Sequence, residues 1–82
     1  MLDVVVYSRR GCHLCDDMIE QLEPLCRGVA ELTVLDIDKN AELQALYTAD
    51  VPVLTIQGRE ICRHVLDRQA LMTALRASSG GG

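Results

Sequence analysis

The chain opens on an almost unbroken apolar run, Leu2 to Ser8, rich in β-branched residues. A run of that kind predicts a strand buried on both faces, as in a parallel sheet with helices around it. From Cys12 to Cys26 the period changes. Leu14, Met18, Leu22 and Leu25 recur at helical spacing, with Asp16, Asp17, Glu20 and Glu23 between them. Acids early in a helix complement its dipole. Pro24 removes a backbone donor and is expected to kink or end the helix, and Gly28 provides the exit.

Ala30 to Asp38 alternates Leu32, Val34 and Asp36 against Thr33, Leu35 and Ile37, which predicts a second strand. Leu43, Leu46 and Tyr47 then share one helical face, with Asp38 or Asn40 as candidate N-cap. Val51 to Ile56 reads as a third strand, approached through Pro52. Gln57-Gly58 reads as a turn, and Arg59 to Leu66 as a fourth, less regular strand. Asp67 is placed to cap a last helix carried by Ala70, Leu71, Ala74 and Leu75. Ser78 to Gly82 reads as a flexible tail after a single domain at residues 1–77. The order β-α-β-α-β-β-α implies an α/β domain with a four-stranded mixed sheet. Its first two strands are parallel, its last two form an antiparallel hairpin, and helices lie on both faces.

Composition narrows the core. With 82 residues the chain has room for one domain, and 49% of it is apolar. There is no Phe or Trp, and Tyr7 and Tyr47 are the two aromatics, so Val, Leu, Ile and Met must fill the interior. A net charge of −4, with no basic stripe to meet phosphates, argues against a nucleic-acid partner. No run approaches the ~18–20 apolar residues of a membrane span. Arg9-Arg10 follow the first apolar run instead of preceding it, unlike an export signal. The expected location is the cytoplasm. There a Cys-x-x-Cys is more often catalytic or metal-binding than structural.

The candidate chemistry lies in "YSRRGCHLC", residues 7–15. Cys12 and Cys15 stand where a strand hands over to a helix. A helix N-terminus carries about +0.5 charge and unsatisfied N–H donors, so it stabilises a thiolate. Arg9 and Arg10 add positive charge nearby, and Cys12 is expected to be partly thiolate at neutral pH. Positions i and i+3 of a helix bring two thiols within reach of a disulfide. Cys15 could then resolve a mixed disulfide formed on Cys12. Two other readings stand beside this one. The pair could be two packed thiols, or half of a zinc or iron–sulfur site completed by Cys26, Cys62, His13 or His64, although none of these repeats the spacing. His13 reads as an exposed first-turn residue, and Asp16 and Asp17 as favourable first-turn acids.

With these residues the chain resembles the glutaredoxin branch of the thioredoxin superfamily, over about residues 2–77. The likeness is carried by "VVVYSRRGCHLC", by "DVPVLTIQGREI" and by the element order. It is nearest to the small bacterial glutaredoxin-like proteins. The resemblance implies a thioredoxin fold and thiol–disulfide oxidoreductase activity, with Cys12 as nucleophile and Cys15 as resolving thiol. It also implies a cis Pro52, a Val51 backbone that pairs with an extended substrate, and an Arg9 that meets the carboxylate of glutathione. The implied partner is a disulfide-containing protein or small thiol, met by a monomer that holds no bound cofactor or metal, with glutathione a candidate reductant. The alternatives remain a metal or iron–sulfur carrier and a non-catalytic binding protein.

Three positions depart from the family pattern. His13-Leu14 replace Pro-Tyr between the cysteines, Asp50 replaces the Thr before Val-Pro, and Cys62-Arg63 replace the Gly-Gly whose backbone meets glutathione. The redox pair therefore transfers more readily than glutathione does. Cys26 and Cys62 are expected to be packing residues.

Overall fold

A central strand with neighbours of opposite sense organises the molecule. The computed structural model describes residues 2–48 and 50–80. Strand β1, Leu2–Ser8, pairs in parallel with β2, Ala30–Asp36, in register from Leu2 opposite Ala30 to Ser8 opposite Asp36. On its other side β1 pairs antiparallel with β3, Val53–Ile56, which in turn pairs antiparallel with β4, Arg59–Arg63. The sheet order is β2-β1-β3-β4, the mixed four-stranded arrangement expected from the element order. Three helices complete the chain: α1, His13–Cys26; α2, Ala41–Tyr47; and α3, Arg68–Gly80.

The main core lies between one sheet face and helices α1 and α3. Val4, Val6, Leu54 and Ile56 meet Met18 and Leu22 of α1 and Leu71 and Leu75 of α3. The opposite face is covered by α2, where Leu43 and Tyr47 pack near Tyr7. That cover is short. Val5 and Tyr7 are therefore only half-buried, and β1 is sealed on one face instead of two. The strand buried on both faces is β3, whose four residues are all inside. Thr55 is satisfied there by placing its hydroxyl 3.4 Å from the carbonyl of Val5.

In α1 the buried stripe is Cys15, Met18, Leu22 and Cys26, at spacings of three and four. Leu14 lies outside it and is 47% exposed, so of the expected stripe of Leu14, Met18, Leu22 and Leu25 the buried members are Met18 and Leu22. The two cysteines hold the inward positions because small apolar thiols fit against the sheet. Pro24 does not end the helix, which continues to Cys26. In the last turn a proline forfeits one backbone bond, and burial of Cys26 behind it offsets that loss.

Strand β2 stops at Asp36, two residues earlier than its alternation suggests. The Asp36 carboxylate accepts the Asp38 N–H at 2.9 Å and turns residues Ile37–Lys39 into a 3₁₀ turn. Asn40 then caps α2, its Oδ1 accepting from Glu42 N at 2.9 Å and Leu43 N at 3.1 Å. Gln57 and Gly58 both have positive φ, 52° and 81°, as a two-residue hairpin turn of type I′ requires. Strand β4 ends at Arg63, before the expected Leu66, because His64 turns to φ 71°. Asp67 caps α3 through Ala70 N at 3.0 Å. The backbone of α3 runs on through Gly80, into the stretch read as a tail, while residues 81–82 lie outside the described residues.

Candidate functional site

The dithiol sits at the carboxyl end of β1, where the turn through Gly11, at φ 74°, leads into α1. Cys12 is the N-cap of α1, in extended conformation, and its Sγ accepts the N–H of Cys15 at 3.1 Å. The carbonyl of Cys12 takes the first helical bond, from Asp16 N at 3.1 Å. A sulfur atom thus occupies the place where a serine or aspartate oxygen usually satisfies an orphan N–H. Cys12 and Cys15 are joined as a disulfide, with Cα atoms 5.2 Å apart. Their exposures differ. Cys12 is half-buried and Cys15 is 1% exposed, so an incoming group meets Cys12 first.

Around the pair lies a second, smaller apolar cluster. Cys15, Ile37 and Val51 form its centre, with Tyr7, Cys12, Leu43 and Tyr47 packed against it. Val51 precedes a cis peptide bond to Pro52, and both residues are buried. The Pro52 carbonyl accepts the N–H of His64 at 2.8 Å, which ties this loop to the end of β4. The rings of Tyr7 and Tyr47 stack, with centroids 4.8 Å apart. The two aromatics of the chain therefore meet beside the cysteines. Burial, and then the neighbouring Tyr7, push the Tyr47 phenol above its ordinary pKa.

Charged groups ring this cluster. Arg9 turns toward Asp38, with Nε 3.2 Å from Oδ2, and its Nη1 lies 3.5 Å from the Thr48 carbonyl. Arg63 makes a two-pronged contact with Glu60, at 2.6 and 2.7 Å, and reaches Asp50 at 3.5 Å. The hydrogen bonds from Arg63 hold the Glu60 carboxyl below its ordinary pKa and push the guanidinium higher still. His64 Nε2 lies 3.3 Å from the other Asp50 oxygen. His13 is exposed in the first turn of α1.

Of the residues singled out from the sequence, Cys12, Cys15 and Val51 share one cluster, and Pro52 is joined to it through the chain. Arg9 is engaged with Asp38. Cys26 and Cys62 pack with the main core, apart from the dithiol, so the four cysteines do not form one set of ligands. Burial pushes both thiols above the ordinary range, and a 3.5 Å hydrogen bond from Asp67 N works against this at Cys62. Among the described residues, no three His, Cys, Asp or Glu side chains converge as a metal cage would need. Sequence reasoning missed the Tyr7–Tyr47 stack and the Asp50–Arg63–His64 contacts. The scarcity of aromatics was the available signal for the first. The second joins residues that are distant in the chain and had none.

The comparisons place this geometry among known proteins. The solution structure of protein Ne2328 from Nitrosomonas europaea is similar, with 39% identity, a TM-score of 0.79 and 89% of each chain covered. Protein XcR50 from X. campestris is 35% identical with a TM-score of 0.72, over 90% of this chain and 96% of that one. A mutant thioredoxin from Halobacterium salinarum, at 22% identity, covers 93% of this chain and 73% of its own with a TM-score of 0.68; it speaks to the fold alone. Among curated proteins, none matches the chain. The profile described as "Glutaredoxin-like domain (DUF836)" matches residues 3–76. The chain thus belongs to the glutaredoxin-like domain family and has the thioredoxin fold.

Proposed function

We propose that the protein is a thiol–disulfide oxidoreductase working through Cys12 and Cys15. The observation that carries this reading is the asymmetry of the pair. Cys12 stands accessible at the N-cap, with its sulfur receiving the Cys15 N–H at 3.1 Å, while Cys15 is buried directly behind it. A thiolate at Cys12 gains from that N–H and from the helix dipole. It attacks one sulfur of a substrate disulfide, breaks the S–S bond, expels the other sulfur as a thiolate and forms a mixed disulfide on Cys12. The Cys15 thiolate then attacks the Cys12 sulfur, releases the substrate as a thiol and leaves the Cys12–Cys15 disulfide. The dithiol loses two electrons and the substrate disulfide gains them.

Val51 is buried beside Cys15, which supports a role for its backbone in aligning an extended substrate strand across the pair, a form of strand addition. The reading includes a reducing compartment such as the cytoplasm, a protein or small-thiol disulfide as substrate, and a thiol reductant to restore the dithiol. Glutathione is the candidate for that reductant, and Arg9, if it left Asp38, is the candidate to meet its carboxylate.

The test is a redox equilibrium of the purified chain across a series of reduced-to-oxidised glutathione ratios, with the Cys12–Cys15 disulfide measured by mass spectrometry after acid quench. A single two-electron transition, abolished in Cys12→Ser, is expected. A pair that stays reduced or stays oxidised across the whole series overturns the reading.

A further inference from the structure

A shallow cleft of about 80 Å³ lies against the first turn of α1, on the side of the loop that follows β4. Leu14 and Val65 form its walls, and buried Met18 and Leu66 its floor. The wall residues are 47% and 67% exposed, which leaves apolar area to be covered. Two of its lining residues are a chain neighbour and a hydrogen-bond partner of residues at the proposed reaction centre. Leu14 stands between the two cysteines, and His64, at the other end of the cleft, donates its N–H to the Pro52 carbonyl.

Charge argues in the same direction. Asp17 borders the cleft. Arg9 and Arg10 precede the dithiol in the chain, and Arg63 ends β4. Two of those arginines are engaged by the chain's own acids, Arg9 by Asp38 and Arg63 by Glu60 and Asp50. A tripeptide carrying two carboxylates would have to displace these contacts to reach either arginine, and would bring negative charge toward Asp17. A polypeptide with an apolar residue and a basic residue beside its cysteine meets the cleft as it stands. The apolar side chain covers Leu14 and Val65, and the basic one approaches Asp17.

We infer that the cleft between Leu14 and Val65, bordered by Asp17, is a specificity site for disulfides of polypeptides whose cysteine is flanked by apolar and basic residues, in preference to glutathione disulfides. This rests on the oxidoreductase reading above. In the step concerned, the Cys12 thiolate attacks the peptide sulfur of a mixed disulfide and expels its other thiol. The Cys15 thiolate then attacks the Cys12 sulfur and expels the peptide thiolate, which takes a proton from water. The substrate disulfide is reduced to two thiols and the dithiol is oxidised to the disulfide.

The experiment uses the full reduced chain in single turnover against four mixed disulfides of thionitrobenzoate. They are made with the tripeptide Leu-Cys-Lys, the tripeptide Glu-Cys-Glu, glutathione and 2-mercaptoethanol, and the readout is thionitrobenzoate release. The Leu-Cys-Lys compound is expected to react about tenfold faster than the glutathione compound, the size of effect that covering part of one apolar side chain supplies. Val65→Glu is expected to shrink that ratio. Asp17→Lys, on the exposed face of α1, is expected to shift preference from Leu-Cys-Lys toward Glu-Cys-Glu. If the 2-mercaptoethanol compound reacts but all the others react equally, or glutathione leads, the specificity inference falls and the oxidoreductase reading stands. If none of the four reacts, both fall.

Discussion

The sulfur of Cys12 accepts the backbone N–H of Cys15 across the first turn of α1, at 3.1 Å. The same turn that joins the two residues as a pair also sets them apart. One caps the helix at the surface and the other is carried inward against Ile37 and Val51. Under the proposed function, that difference in access gives two chemically identical groups different roles.

Single substitutions should separate those roles. Cys12→Ser is expected to abolish reaction with any disulfide at this site. Cys15→Ser is expected to react once and stop, accumulating a stable mixed disulfide on Cys12. Intact-mass measurement after exposure to a small disulfide distinguishes the two. An adduct on Cys12→Ser that maps to Cys15 would reverse the assignment.

Thiol reactivity should also be ordered by pH. In the reduced protein Cys12 is expected to alkylate with a midpoint below the ~8.5 of a free thiol, because the helix N-terminus favours its thiolate. Cys26 and Cys62 should require higher pH than a free thiol, since burial favours their neutral form. For these two the folded-state value is raised over the unfolded one. Their contribution to stability is therefore complete below the ordinary thiol range and is lost as pH rises through the raised values. Iodoacetamide labelling followed by peptide mapping reads all four sites, and equal profiles at Cys12 and Cys26 would count against this account.

The main core should be costly to hollow. Leu22 and Leu71 are fully buried, one from each helix on the same sheet face. Either one changed to Ala is expected to lower unfolding free energy by about 2–5 kcal/mol, through lost burial and the cavity left behind. Leu46→Ala is the contrast, because Leu46 is 70% exposed and should change stability by less than about 0.5 kcal/mol. Urea denaturation measures all three.

Helix α2 is only seven residues long and contributes no fully buried side chain, so its cap matters. Asn40→Ala removes the acceptor for two N–H groups and is expected to cost about 1 kcal/mol. Tyr47, at the far end of this helix, stacks on Tyr7 beside the dithiol. Hydrogen exchange of α2 amides should therefore accelerate in the variant more than that of α1, and equal acceleration in both would point to global loss instead.

Much of this protein could be read along the chain, because the information is local. Strand and helix periods placed all seven main elements, and the Gln57-Gly58 turn, the Asp67 cap and the Cys12–Cys15 spacing each depend on residues within a few positions of one another. The Val51-Pro52 motif, set beside the cysteine pair, was enough to point to the family. Boundaries were less legible where two local preferences competed. Asp36 bonding to Asp38 N ended β2 early, and His64 at positive φ ended β4 early.

Tertiary packing alone decided which face each side chain took and which partner each charge found. Leu14 and Cys15 are adjacent and both apolar, yet one is exposed and the other buried, because only the second faces the cluster with Ile37 and Val51. Arg9 lies three residues before Cys12, yet its guanidinium is drawn to Asp38, 29 residues away along the chain. Arg63 likewise meets Asp50 across a gap of 13 positions that only the β3–β4 hairpin closes. Periodicity follows from the backbone, which every residue shares with its neighbours. Burial and charge pairing follow from which elements meet, and that is set when the sheet and helices close around a common core.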